Sequence, residues 1–266
     1  MSRLKFPSHH AGVEIPPLLI EKLATADRVA VLTGAGVSAE SGVPTFRDAQ
    51  IGLWARYQPE DLATPSAFRR HPRLVWEWYE WRRKLLPAAQ PNPAHRALVE
   101  MEGLFPQFAL ITQNVDGLHH RAGSRRVIEL HGNLTRTKCF EEDKVVTAWA
   151  DTGEVPPRCP NCGGLLRPDV VWFEEAMPAA ELAQATRASG ACDVLFAIGT
   201  SALVYPAAAL PLDALRQGAT VVEINPQATA LTGQVQFVLA DAAGVVLPEL
   251  VRCVRELKAH RQRART

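Results

Sequence analysis

Arg28-Val-Ala-Val-Leu-Thr-Gly-Ala-Gly-Val-Ser-Ala-Glu-Ser-Gly-Val-Pro-Thr-Phe-Arg-Asp48 joins a short apolar run to a glycine-rich turn. A strand that ends in Gly-x-Gly-x-x-Ala and turns into a helix is the dinucleotide-binding arrangement. In that reading Gly34 permits the tight turn. Gly36 lets backbone N–H groups approach a pyrophosphate, and Ala39 lets the helix pack close to the strand. The helix N-terminus then turns its positive dipole end toward the phosphates. The acidic residue usual about 20 residues on does not sit at the end of an obvious second strand. The turn therefore specifies a phosphate cradle, and the rest of the site has to come from elsewhere in the chain.

Outward from this turn the chain alternates between two periodicities. Pro16 to Ala26 reads as an entry helix with Leu18, Leu19, Ile20 and Leu23 on its apolar face. Residues 28–33, 107–111, 127–130, 193–198 and 220–224 are short apolar runs bounded by turn residues, as parallel strands buried on both faces should be. Helical stretches lie at 93–102, 178–189, 206–217 and 246–258. Alternating strand and helix predicts an α/β fold with a doubly wound, Rossmann-like parallel sheet. Two segments break the rhythm. Residues 49–91 read as helices joined by proline-containing turns. Residues 136–167 hold a Cys-x-x-Cys with prolines and glycines and little apolar periodicity. Both are expected to be insertions that together make a small second domain, with a helical and a zinc-ribbon-like module. The large domain then comprises 15–48, 92–135 and 168–258, with tails at 1–14 and 259–266.

Composition narrows the function. With 266 residues the chain can bury a full core. A net charge of +1 gives no bulk electrostatic case for nucleic acid or membrane binding, and the basic run from Lys258 to Arg265 reads as a solvated end. No stretch approaches 18 apolar residues, and residues 1–10 lack the apolar core of a signal peptide. Five cysteines, with one Cys-x-x-Cys, read as reduced thiols and a metal site rather than a disulfide framework. The expectation is a cytoplasmic enzyme.

Further blocks sharpen this. Pro44-Thr-Phe-Arg-Asp48, Thr112-Gln-Asn-Val-Asp-Gly-Leu-His119, Leu130-His-Gly-Asn133, Pro168-Asp-Val-Val-Trp-Phe173, Gly199-Thr-Ser201 and Ile224-Asn-Pro226 occur in this order. Together they resemble the sirtuins, NAD-dependent protein-lysine deacylases, over roughly residues 15 to 255. The resemblance implies NAD as co-substrate and acyl-lysine proteins or peptides as partners. It implies NAD contacts from Gly34, Ala35, Gly36, Ser38, Ala39, Thr45, Phe46, Arg47, Gln113, Asn114, Val115, Asp116, Gly199, Thr200, Ser201, Asn225 and Ala243. In the implied reaction the acyl oxygen attacks C1′ of the ribose as nicotinamide leaves. His131 then acts as general base on a ribose hydroxyl, which attacks the resulting imidate carbon, and water releases free lysine and O-acyl-ADP-ribose. Asn114 would orient the reacting groups and Asp116 would hold the nicotinamide amide. Histidine suits the base because it titrates near neutrality. His119 and His120 are given structural roles.

The helix Pro72-Arg-Leu-Val-Trp-Glu-Trp-Tyr-Glu-Trp-Arg-Arg83 places Tyr79 and Arg82 three apart, on one face. By pattern alone it is an aromatic anchor. By position it resembles the sirtuin subgroup that removes malonyl and succinyl groups, with Tyr79 and Arg82 reading the carboxylate and Ala63 leaving room. Val171, Trp172 and Phe173 are the implied substrate strand. Deacetylation is compatible with the same pocket. Cys159-Pro-Asn-Cys162 is half a zinc knuckle; the other half offers Cys139 but Glu142 where the second cysteine belongs. Zinc held by three thiolates with Glu142 or Asp143, zinc held by three thiolates and water, and a module without metal all remain open, with structural zinc expected. Glu174 stands where the family usually has glycine. The competing functions are an NAD-dependent ADP-ribosyltransferase, a non-catalytic NAD-binding regulator and a dehydrogenase. Substrates and oligomeric state are not legible.

Overall fold

A computed structural model describes residues 13–43 and 56–264. Six strands form one parallel sheet: β1 (Arg28–Thr33), β2 (Gln107–Thr112), β3 (Val127–Glu129), β6 (Val194–Ile198), β7 (Thr220–Ile224) and β8 (Phe237–Leu239). Two others, β4 (Gly132–Cys139) and β5 (Leu166–Val170), pair antiparallel in a separate sheet. The large sheet has the order β3-β2-β1-β6-β7-β8, the doubly wound arrangement. Strand order reverses between β1 and β6, and ligands of such sheets bind beyond the carboxyl ends of the strands at that switch point. Gly34 and Gly199 follow β1 and β6 there.

The central strands are buried because both faces are covered. β6 and β7 are buried at every position, and β1 at every position after Arg28. One face packs on α1 (Pro17–Thr25), α6 (Pro93–Glu102) and α10 (Ala243–Arg263), whose Leu19, Leu23, Leu98, Met101, Leu247 and Leu250 share a core with Val31, Leu110 and Phe196. The other carries α8 (Ala179–Ala191) and α9 (Leu210–Arg216). Leu18, expected on the apolar face of the entry helix, is 57% exposed; the helix buries Leu19, Ile20 and Leu23 instead. α10 starts three residues earlier than its apolar periodicity and runs five beyond it, with a polar, exposed last turn. β8, an edge strand of three residues, was too short to register as a run.

The second core belongs to the inserted segments. α3 (Pro59–Leu62), α4 (Pro65–Arg70) and α5 (Pro72–Leu85) each carry proline in the first turn, where its missing N–H costs nothing. Thr64 Oγ1 accepts from Ala67 N–H and caps α4. Leu62, Phe68, Trp78 and Tyr79 from these helices bury against Leu134, Val170 and Trp172 beside the small sheet. That sheet begins at Gly132 and ends at Val170, and the chain leaves the large sheet at Glu129. Gly132 explains the tight exit. It has φ +76°, and a Cβ there would sit 2.2 Å from the Asp169 carbonyl oxygen. His131 is held at this corner, between the two sheets.

Candidate active site

A cavity of about 1110 Å³ opens beyond the carboxyl ends of β1, β2 and β6 and runs under the small sheet. Gly34, Ala35, Gly36 and Ser38 line it from the first turn. Gln113, Asn114, Val115 and Asp116 line it from the segment after β2, and Gly199, Thr200 and Ser201 from the segment after β6. Asn225, after β7, and His131 complete this group. Ala63, Tyr79, Arg82, Val171, Trp172 and Phe173 line the same cavity from the small module. Sequence blocks as far apart as Gly34 and Asn225 thus converge. Thr45, Phe46 and Arg47 lie outside the described residues.

Two of the expected contacts are not among the residues that line the cavity. Ala39 is exposed and does not line the cavity; α2 (Gly36–Ala39) is a single turn, too short for its last residue to pack on β1. Ala243 is buried at the start of α10 and is not part of the cavity lining. The close approach comes from the glycines. Gly34 N–H donates to Ile198 C=O at 3.0 Å and Gly36 N–H to Gly199 C=O at 2.9 Å. A Cβ on Gly36 would meet Gly199 Cα and O at 2.8 Å each. Gly36 therefore locks the two turns together, and its N–H serves that contact rather than a phosphate.

The polar groups are tightly placed. Asn114 Nδ2 donates to Gly34 C=O at 3.0 Å and to Ser38 Oγ at 3.2 Å. Ser38 Oγ–H donates to Asp116 Oδ2 at 2.7 Å, and Leu118 N–H to Asp116 Oδ1 at 2.8 Å. Burial raises the Asp116 pKa above the usual carboxylate value, opposed by these two bonds. Gln113 Nε2 donates to Thr200 Oγ1 at 2.9 Å, tying the β2 and β6 loops. His131 Nδ1 lies 3.0 Å from the Gln113 carbonyl oxygen. A carbonyl only accepts, so Nδ1 carries the proton and Nε2 keeps the lone pair of a base. Burial lowers the His131 pKa and favours this neutral form.

The small module supplies a second chemistry. Tyr79 is buried, and its oxygen accepts from Trp172 Nε1–H at 3.0 Å. That leaves the phenolic proton to donate. Burial pushes the Tyr79 pKa up to about 12, so the proton is retained. The Arg82 guanidinium lies 5.0 Å from the Trp78 ring centre and 5.9 Å from that of Tyr79. Burial lowers its pKa, with Tyr79 and Asp116 opposing, but arginine stays charged. A cation and a hydroxyl donor therefore share one cavity wall. Beneath Trp172, Arg167 lies 3.3 Å from the indole centroid and pairs with Glu175 at 2.5 Å. Glu174 keeps φ +72°, the glycine-like conformation, at a cost of roughly 1–2 kcal/mol.

Away from the cavity, Cys139, Glu142, Cys159 and Cys162 each offer one ligand atom, all within 4.8 Å of one another. Ligand atoms about 2.3 Å from a tetrahedral zinc lie about 3.8 Å apart. Cys139 Sγ is 3.4 Å from Cys162 Sγ, and Cys159 Sγ is 3.9 Å from Glu142 Oε2. The set fits structural zinc, with Glu142 completing it. Asp143, the other sequence candidate, pairs with Lys138 Nζ at 2.6 Å.

The sequence profile of the Sir2 family matches residues 34–206. A protein of Aquifex aeolicus named NAD-dependent protein deacylase is 50% identical over 229 residues, 86% of this chain and 95% of the relative. One of Pseudomonas aeruginosa, NAD-dependent protein deacylase 1, is 51% identical over 242 residues, 88% of this chain and 97% of the relative. Among solved structures, a Sir2 homologue in complex with NAD superposes with a TM-score of 0.85 at 47% identity, covering 94% of this chain and 98% of the other. A Sir2–p53 peptide–NAD+ complex superposes with a TM-score of 0.77 at 31% identity, covering 89% and 97%. No helix among the described residues is long and apolar enough to cross a membrane.

Proposed function

This chain belongs to the Sir2 family, and from that premise we propose that it is a deacylase whose cavity reads acidic acyl groups, malonyl and succinyl, on lysine. It is an NAD-dependent protein deacylase acting on acyl-lysine proteins. The observation that carries the acyl preference is that Arg82 and the buried Tyr79 both line the cavity that also contains His131. An arginine fork and a phenolic donor suit a carboxylate. Acetyl-lysine enters the same space without using the charge.

In this reading Asn114 and Asp116 hold the nicotinamide-ribose end of NAD, with Asp116 accepting from the amide. Gln113 and the two glycine turns hold the ribose and phosphates. His131 takes a ribose hydroxyl proton on Nε2, with Gln113 C=O holding Nδ1–H. Val171, Trp172 and Phe173 form the wall along which the acyl-lysine segment enters. We place the boundary of the small module at its own sheet, and the setting in the cytoplasm, where the thiolates of a zinc site stay reduced. Transfer of ADP-ribose to protein is the competing outcome of the same site.

Arg82→Met is the test. A buried charge-assisted bond contributes about 1.5–3 kcal/mol, so the variant should lose roughly 10–150-fold in kcat/KM for succinyl-lysine relative to acetyl-lysine peptides. An unchanged ratio removes Arg82 from acyl recognition.

A further inference from the structure

His119 is buried, and nothing in the proposed reaction uses it. Its surroundings are built as a site's support would be. Thr33 and Thr112 end β1 and β2 and are paired in register. His119 Nε2 lies 3.0 Å from Thr33 Oγ1. Thr33 Oγ1 donates to Thr112 Oγ1 at 2.8 Å, and Thr112 Oγ1 accepts from Asn114 N–H at 3.0 Å. From Asn114 the path continues through Ser38 Oγ to the Asp116 carboxylate, then from Asp116 Oδ1 to Leu118 N–H, next to His119 in the chain. With the peptide link from Leu118 to His119, these hydrogen bonds form a closed path that runs through Asn114 and Asp116. Each side chain in it is buried: Thr33, Ser38, Thr112, Asn114, Asp116 and His119 are all 8% exposed or less.

Proton counting fixes the direction. The single Thr33 hydroxyl proton is directed at Thr112 Oγ1, with the Ile111 carbonyl oxygen at 3.4 Å as its second acceptor, so Thr33 must accept from His119, and the imidazole is the Nε2–H tautomer. Its Nδ1 is then a bare acceptor. That atom is buried with no hydrogen-bond partner, next to the His95 ring, whose centre lies 4.9 Å away. A second proton would have nothing to bond, and burial accordingly drives the His119 pKa down to about 3. The ring is a fixed neutral donor.

We propose that His119 is a positioning residue: through the hydroxyls of Thr33 and Thr112 it fixes the backbone at Asn114, and so sets where the Asn114 and Asp116 side chains stand. The inference rests on the roles assigned above to those two residues. Loss of the donor lets the Asn114–Asp116 segment shift, which weakens grip on the nicotinamide-ribose end of NAD and spares the acyl-peptide end.

The test uses the full chain with NAD, nicotinamide and one acyl-lysine peptide, comparing His119→Phe, His119→Gln and Thr33→Val with Asn114→Ala. His119→Phe and Thr33→Val should each raise KM for NAD and the nicotinamide concentration for half-inhibition about tenfold, the scale of one misplaced buried hydrogen bond. KM for the peptide should stay within about twofold. His119→Gln, which can still donate from its amide, should recover most of the loss. The inference is overturned if folded His119→Phe and Thr33→Val match the parent in both NAD readouts, or if Gln is as impaired as Phe, because packing alone would then explain the ring. Should His119→Phe fail to fold, Thr33→Val, which keeps size and removes the hydroxyl, decides the matter. If Asn114→Ala itself leaves NAD use intact, the assigned role of Asn114 falls and takes this inference with it.

Discussion

His131 shows how a single ring is made ready by its backbone surroundings. Gln113 C=O fixes the tautomer, and burial favours the neutral form. A base must be unprotonated to act, so activity is complete above the folded-state pKa and lost as pH falls through it. Because that pKa lies below the ordinary histidine value of about 6.5, the acidic limb of kcat/KM for the peptide should have its midpoint below about 6.5. A pH profile at saturating NAD measures this, and a midpoint above that value contradicts the assignment of His131 as the base. The candidate residues were legible only through their motif context, the Thr112–His119 and Leu130–Asn133 blocks that resemble the sirtuins; a histidine at a strand end would by itself read as structural. The packing expected of Ala39 is absent for a local reason. A fingerprint predicts a packed alanine only if a full helix follows, and α2 is one turn long.

At the scale of elements, strand runs with both faces buried were readable because apolar content alone marks them. The antiparallel pair β4–β5 was not. Gly-Asn-Leu-Thr-Arg-Thr-Lys-Cys139 is mostly polar, and its burial comes from helices α4 and α5 and from the packing of Cys139 with Trp76, Val146, Cys159 and Leu166 rather than from its own pattern. Half of a knuckle was visible at Cys159 and Cys162, but Glu142 could be assigned only once its carboxylate stood 3.9 Å from Cys159 Sγ and Asp143 was committed to Lys138. Structural zinc supplies folding free energy directly. The expected zinc content is therefore one ion per chain by elemental analysis. Glu142→Ala should weaken zinc retention against a competing chelator by at least about tenfold, and Glu142→Cys should strengthen it. Equal retention by all three proteins would exclude Glu142 from the ligand set.

For the whole molecule, the two cores meet along one cleft, and buried polar groups hold the large sheet's loops in register there. Two of those groups make stability depend on pH. Burial lowers the pKa of His95 to about 4 and of His119 to about 3. The unfolded chain takes up these protons near pH 6.5 and the folded chain does not, so the unfolded state gains as pH drops. The associated stability is complete above about pH 6.5 and is lost as pH falls from there toward 4 and 3, at up to about 1.4 kcal/mol per pH unit for each ring. Urea unfolding at pH 7.5 and pH 5 should show a lower midpoint at the acidic value, and His119→Gln should flatten the difference. The central claim is that one cleft joins NAD cleavage to acyl transfer. Mass spectrometry of the products from NAD and a succinyl-lysine peptide tests it most directly. The account predicts nicotinamide, free lysine peptide and O-succinyl-ADP-ribose in equal amounts from the parent, with the last two lost in His131→Ala. Free succinate with NAD intact, or ADP-ribose attached to protein in place of the acylated sugar, would contradict it.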